Sequence, residues 1–213
     1  MTIEFLPYPK TPRLRRDVVV TEKIDGTNAQ IHIREFKTNG VLVSAVDEFD
    51  FAVPIGSETT LAMRVGSRNR WIKPGKHTDN YGFASWCYTN AAELIKLGVG
   101  KHFGEWWGNG IARGYGMDRK VFSLFNTARW GEHNPNTPAC VSVVPVLETC
   151  RVDEINNVLE HLRITGSKAS PGFMNPEGII VYHSASKQNF KVLLEGDEIP
   201  KGGQRREHDM VPA

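Results

Sequence analysis

Near the N-terminus, the β-branched run Val18-Val19-Val20-Thr21-Glu22 leads without a break into Lys23-Ile24-Asp25-Gly26, after which residues 28–33 alternate apolar and polar. A β-branched run followed by a period of two, with Ala29, Ile31 and Ile33 on one face, predicts two strands that meet at the Lys-x-Asp-Gly segment. Lys23 then falls at a strand end or turn. Residues two apart in extended backbone share a face, so Lys23 and Asp25 are expected to point into one pocket. Gly26 would allow a turn or a close backbone approach.

The same period recurs downstream. Residues 41–46, 101–107, 120–125, 141–147, 177–183 and 189–194 read as strands. Residues 89–97, with apolar Leu94 and Leu97, read as a helix closed by Gly98, and Asp153 is expected to cap a second helix in which Ile155, Val158, Leu159 and Leu162 keep helical spacing up to Gly166. Many strands with few helices predict an α+β fold of largely antiparallel sheets. A chain of 213 residues, 40% hydrophobic, can bury a substantial core. The expected organisation is one domain over residues 1–195 and a polar, Gly- and Pro-punctuated tail over 196–213.

Composition excludes more than it assigns. No apolar run approaches the ~18 residues of a membrane span, and the start MTIEFLPYPKTPRLRR has no apolar signal-peptide core. Cys87, Cys140 and Cys150 are odd in number and lack C-x-x-C spacing, which argues against a disulfide framework or zinc site and for a reducing, intracellular setting. The net charge of +2 is too small to imply nucleic-acid binding from bulk electrostatics. Arg13, Arg15 and Arg16, then Arg64, Arg68, Arg70 and Lys73, then Lys201, Arg205 and Arg206, form local basic clusters that in isolation read as solvated faces.

The chemistry lies in an ordered set. Lys23 is followed by Glu105 in GEWWG, Glu177 in PEGII and Lys191 in NFKVLL. About one unrelated chain in twenty carries K-x-D-G by chance, so the order of the set matters more than any member. A lysine attacking phosphorus must be neutral although its ordinary pKa is near 10.4, and Lys191, Arg68 or a divalent metal could favour the neutral form. Glu177 opens a strand beside Gly178, and its hard oxygens suit Mg²⁺ or Mn²⁺. Glu105 could accept hydrogen bonds from ribose hydroxyls. Phe122 or Phe125 could stack on a purine, while Trp106 and Trp107 read as packing residues.

These segments resemble the RNA ligase branch of the covalent nucleotidyltransferases, a superfamily that includes DNA ligases and mRNA capping enzymes, over roughly residues 8–202. EKIDGTN is similar to the nucleotidyl-lysine motif, which implies Lys23 as the attacking residue with Glu22, Ile24 and Asn28 as nucleotide contacts. GSRNRW implies Arg68, and less directly Arg70, as phosphate and nucleotide contacts; FGEWWG implies Glu105 on the ribose. FSLFN implies an adenine-stacking residue, with the spacing from Glu105 favouring Phe125 over Phe122, and PEGIIV implies Glu177 as the metal-binding acid. The last motif departs from the family's K-x-K: Asn189-Phe190-Lys191 keeps Lys191 as the phosphate contact and leaves Lys187 as a displaced candidate, so slower adenylylation is expected.

The resemblance implies an adenylation fold and a three-step, ATP-dependent joining of RNA ends, single-stranded or nicked, through AMP on Lys23 with Mg²⁺ or Mn²⁺. Little sequence follows Lys191, so a minimal ligase is expected, with a partner protein as a possible source of further nucleic-acid contacts. A phage-encoded enzyme acting in a host cytoplasm is compatible with this. Capping-type guanylyl transfer from GTP, DNA joining and a non-catalytic nucleotide- or RNA-binding module are the alternatives.

Overall fold

The computed structural model describes residues 3–37, 51–55, 58–131 and 134–198. In chain order the strands are β1 (Asp17–Lys23), β2 (Thr27–Lys37), β3 (Phe51–Pro54), β4 (Thr59–Ser67), β5 (Gly100–Gly108), β6 (Lys120–Leu124), β7 (Ser142–Val143), β8 (Val146–Arg151), β9 (Gly178–His183) and β10 (Gln188–Leu193). Helices α1 (Phe83–Thr89) and α2 (Ala91–Leu94) precede β5, α3 (Thr127–Trp130) follows β6, and α4 (Ile155–Thr165) follows β8. The strands form two sheets, a four-stranded one in the order β10-β9-β1-β8 and a six-stranded one in the order β3-β4-β2-β5-β6-β7. Every pairing is antiparallel except β6 with β7. The fold is α+β with antiparallel sheets and few helices, as the strand periodicity predicts.

Each sheet buries one face in its own core. Alternate residues Ala29, Ile31 and Ile33 of β2, Met63 and Val65 of β4, Trp106 of β5 and Phe122 of β6 pack beneath Phe83, Cys87 and Leu94 of the helical segment. Val18 and Val20 of β1 with Ile179 and Val181 of β9 pack against Val158 and Leu162 of α4. A third cluster of Ile24, Trp107, Tyr115 and Val144 lies where the chain passes between the sheets. The Lys-x-Asp-Gly segment is that passage: Lys23 ends β1 in one sheet, and Thr27 begins β2 in the other. Gly26 is required there, because a Cβ would lie 2.6 Å from the Trp106 carbonyl oxygen and 2.7 Å from Trp107 Cβ.

Several expectations change in detail. Residues 141–147 are two strands in different sheets, because Pro145 lacks the N–H that a continuous ladder needs. Its carbonyl instead accepts from Glu22 N at 3.0 Å. The helix expected over 89–97 starts at Phe83 and breaks at Asn90, with Gly98 closing it at φ 74°. Asp153 does not cap α4. A turn over Val152–Glu154 precedes the helix, and the Glu154 carboxylate accepts from Arg151 N at 2.8 Å. The strand expected at 41–46 lies outside the described residues. Among the described residues no helix is long and apolar enough to cross a membrane, and Cys87, Cys140 and Cys150 are free thiols.

Candidate active site

The two sheets bring the ordered set together. Lys23 Nζ donates to Glu177 Oε2 at 2.5 Å, although 154 residues separate them. The register explains this meeting: Lys23 pairs with Gly178 across β1 and β9, which places Glu177 at the mouth of the same strand pair. Lys191 is exposed on β10 opposite Ile180, on the face that also carries Lys23. Lys187 sits in the β9–β10 hairpin turn with φ 56°, about 13 Å of extended chain from Lys191, whereas Asn189 shares the face of Lys191. The turn therefore does not restore the missing cation of the last motif.

The six-stranded sheet supplies the facing wall. Asn28 pairs with Glu105 and Glu105 with Ser123, so the three side chains form one row across β2, β5 and β6. Arg68 extends that row, one residue beyond the Ala29–Ser67 pair. Burial, opposed in part by the Lys23 charge, pushes the Glu105 carboxyl up to about 7; Glu177 raises it further, while Arg68 and the Gly26 N–H hold it down. Glu105 thus responds electrostatically to Lys23, Glu177 and Arg68 together. Ser123, beneath it, accepts from Trp107 Nε1 at 2.8 Å. Phe125 lies exposed just past β6, whereas Phe122 is fully buried in the core.

Not every sequence-predicted group faces this space with its side chain. The Glu22 carboxylate is buried and accepts from Ser167 Oγ at 2.6 Å and Ala169 N at 2.8 Å. Ile24 is buried against Trp107, Tyr115 and Val144. Both can meet a nucleotide only through backbone atoms. Arg70 donates to the carbonyls of Thr78 and Asp79, which ties down its own loop. Asp25 does not point with Lys23: its carboxylate accepts from Arg113 Nε at 3.2 Å, and its N–H donates to Tyr115 Oη at 2.9 Å.

Arg113 and Tyr115 are the residues that sequence reasoning missed. Besides Asp25, Arg113 donates to Asn175 Oδ1 at 2.7 Å and to the Asn175 carbonyl at 3.0 Å, so one guanidinium clamps the segment after Lys23 to the segment before Glu177. Tyr115 adopts a left-handed φ of 52° and accepts from Ser170 Oγ through its carbonyl. The clustering of glycines in GNGIARGYG is the one available signal, since it marks an irregular loop.

Among the described residues no group of three or more His, Cys, Asp or Glu side chains could cage a metal. Glu177, with Glu105 nearby, matches instead the donor set of a Mg²⁺-type ion held by one or two carboxylates and shared with phosphate oxygens.

Comparison with known proteins gives the same outline. The family model for RNA ligase matches residues 16–194. Comparison with curated proteins finds no match. Among solved structures, Naegleria gruberi RNA ligase with PPi aligns at 15% identity and TM-score 0.53, over 83% of this chain and 49% of that one. A mutant of the same enzyme with ATP and Mn aligns at 15% identity and TM-score 0.52 over 84% and 50%, and another with AMP and Mn at 16% and 0.52 over 83% and 49%. This chain spans about half the length of that ligase, and at such identity the likeness is one of fold. Because the family match runs through both sheets and includes every residue of the site, the chain belongs to the RNA ligase family.

Proposed function

We propose that this chain is an ATP-dependent RNA ligase that carries AMP on Lys23. The observation that carries the reading is the meeting of Lys23 and Glu177 at 2.5 Å in the electrostatic reach of Glu105 and Arg68, in the motif order of the matched family. The Naegleria enzyme has been solved with ATP and Mn and with AMP and Mn, which supports ATP and Mg²⁺ or Mn²⁺ as the cofactors here. Lys23 leaves Glu177, loses its proton and attacks the α-phosphorus of ATP; a P–N bond forms and the P–O bond to pyrophosphate breaks. An RNA 5′-phosphate oxygen next displaces lysine from that phosphorus. A 3′-hydroxyl oxygen then attacks the 5′-phosphorus and expels AMP, which closes the phosphodiester.

Each residue has a matching role in the reading. Lys191 and Arg68 contact phosphate, and Glu105 accepts from ribose hydroxyls. Phe125 offers its exposed ring to adenine. Asn28 lines the row beside Glu105, and Glu22 and Ile24 contribute backbone atoms. Glu177 would hold the divalent ion, with Glu105 beside it. When bound, such an ion neutralises phosphate charge in the transition state. Residues 1–195 form the proposed catalytic unit and 196–213 its tail. The acceptor is an RNA end rather than DNA, a partner protein could supply further RNA contacts, and an ATP-consuming reaction belongs inside a cell.

Incubating the purified chain with ATP, Mg²⁺ and RNA carrying a labelled 5′-phosphate tests this. The expected products are adenylylated and joined RNA, with less from a DNA strand of the same sequence. Wild-type protein charged on Lys23 that transfers nothing to the RNA would overturn the ligase reading.

A further inference from the structure

The wall that carries Glu105 continues as an open sheet face. Two residues along each strand from the Asn28–Glu105–Ser123 row, roughly 7 Å away, Gln30 pairs with Gly66 on one side and with Phe103 on the other. Phe125 N donates to the Phe103 carbonyl, so Phe103 lies next to Phe125. Gly66 leaves room for an indole from beyond β4. A Cβ there would lie 3.1 Å from Trp71 Cε3, so the Trp71 ring lies over Gly66. The following row pairs Arg64, His32 and Lys101.

This face is built rather than incidental. Trp71 stands edge-on to His32 with ring centroids 4.8 Å apart, and the Arg64 guanidinium lies 4.4 Å from the Trp71 ring centroid. His32 is fixed by Gln30 Oε1 at 2.8 Å, and Gln30 donates in turn to the Ser67 carbonyl at 2.6 Å. These contacts hold the Trp71 ring and leave it 41% exposed, with Phe103 at 44%. Burial chiefly lowers the His32 pKa, and the charges of Lys101, Arg34, His102 and Arg64 add to that shift.

We propose that this face, centred on Trp71, Phe103 and Lys101, binds the single-stranded RNA that leads away from the end being joined. Open aromatic rings alternating with cations match the two repeating features of a single strand, its stackable bases and its anionic backbone. No apolar partner fits as well, because Arg64 and Lys101 would be desolvated without counter-charge. The face begins one row from Glu105 and so is continuous with the nucleotide site. The inference rests on the RNA ligase reading, and it gives a role to residues that the resemblance leaves without one, although Phe103 opens FGEWWG and Trp71 closes GSRNRW.

The test uses the full chain and a fluorescent twelve-nucleotide RNA with a 5′-hydroxyl and a 3′-phosphate, which binds without reacting. Loss of one stacked base corresponds to a Kd rise of about 5- to 150-fold. Trp71→Ala and Phe103→Ala are expected in that range and Trp71→Phe near wild type. Lys101→Glu should lower the salt slope of log Kd by about one phosphate contact. Labelling of Lys23 by ATP, measured on the same variants, should fall far less than RNA affinity does. An RNA Kd unchanged in both alanine variants would overturn the proposal, as would RNA affinity and Lys23 labelling falling in parallel. Failure of the wild type to label Lys23 would instead strike the ligase reading, while the RNA measurement would still decide the surface.

Discussion

Glu105 carries the clearest residue-scale consequence. Its folded-state carboxyl is pushed up to about 7 from an ordinary 4.5, chiefly by burial. Between those values the folded protein binds more protons than the unfolded chain, so stability is greatest below about pH 4.5 for this group and is lost as pH rises through about 7. Glu105→Gln removes the titration. Denaturation at pH 5 and pH 8 should show wild type losing on the order of 1–3 kcal/mol relative to the glutamine variant. Parallel pH profiles would mean that Glu105 is not held in this environment. The sequence pointed to Glu105, yet its burial depends on β2 and β6 on either side, which no local pattern reveals.

Among the elements, the passage from β1 to β2 matters most, because it carries the chain from one sheet to the other within residues 24–26. Valine runs and alternation made both strands legible, and the position of Lys23 at the strand end follows from them. What the period of two could not reveal is sheet membership: residues 141–147 read as one strand, but Pro145 divides them between sheets. β4 was not expected as a strand: in the sequence Arg64 reads only as part of a basic cluster with Arg68, Arg70 and Lys73, although Leu61, Met63 and Val65 alternate beside it. The glycines around Arg113 mark only an irregular loop and not its role, because its partners Asp25 and Asn175 are 88 and 62 residues away. By tying the Lys23 turn to the segment before Glu177, Arg113 acts as a positioning residue. Arg113→Ala should slow adenylylation of Lys23 by about 10- to 100-fold, as expected for a displacement near 1 Å. Arg113→Lys should restore little, since a lysine cannot reproduce the planar fork. Single-turnover labelling checks both, and an alanine variant within twofold of wild type would remove Arg113 from the account.

On the scale of the whole molecule, two sheets with separate cores meet along a cleft: β1 joins the C-terminal strands in one wall, and the stretch of chain between them, residues 27–143, forms the other. Lys23, Glu177 and Lys191 come from the four-stranded sheet, and Asn28 and Glu105 from the central strands β2 and β5 of the six-stranded one, with Arg68 just past β4. The α+β class and the order of the charged residues were readable from the sequence. The open aromatic row was not, since Trp71 and Phe103 are 32 residues apart and meet only through the register of β2 with β4 and β5. The central claim is that this cleft transfers AMP through Lys23. The most direct measurement is incubation of uncharged protein with α-labelled ATP and Mg²⁺, followed by denaturing electrophoresis and peptide mass spectrometry, with Lys23→Ala alongside. One AMP is expected, attached to Lys23 and absent from the folded alanine variant; label on another residue, label from GTP alone, or none on folded wild-type protein would rule that transfer out.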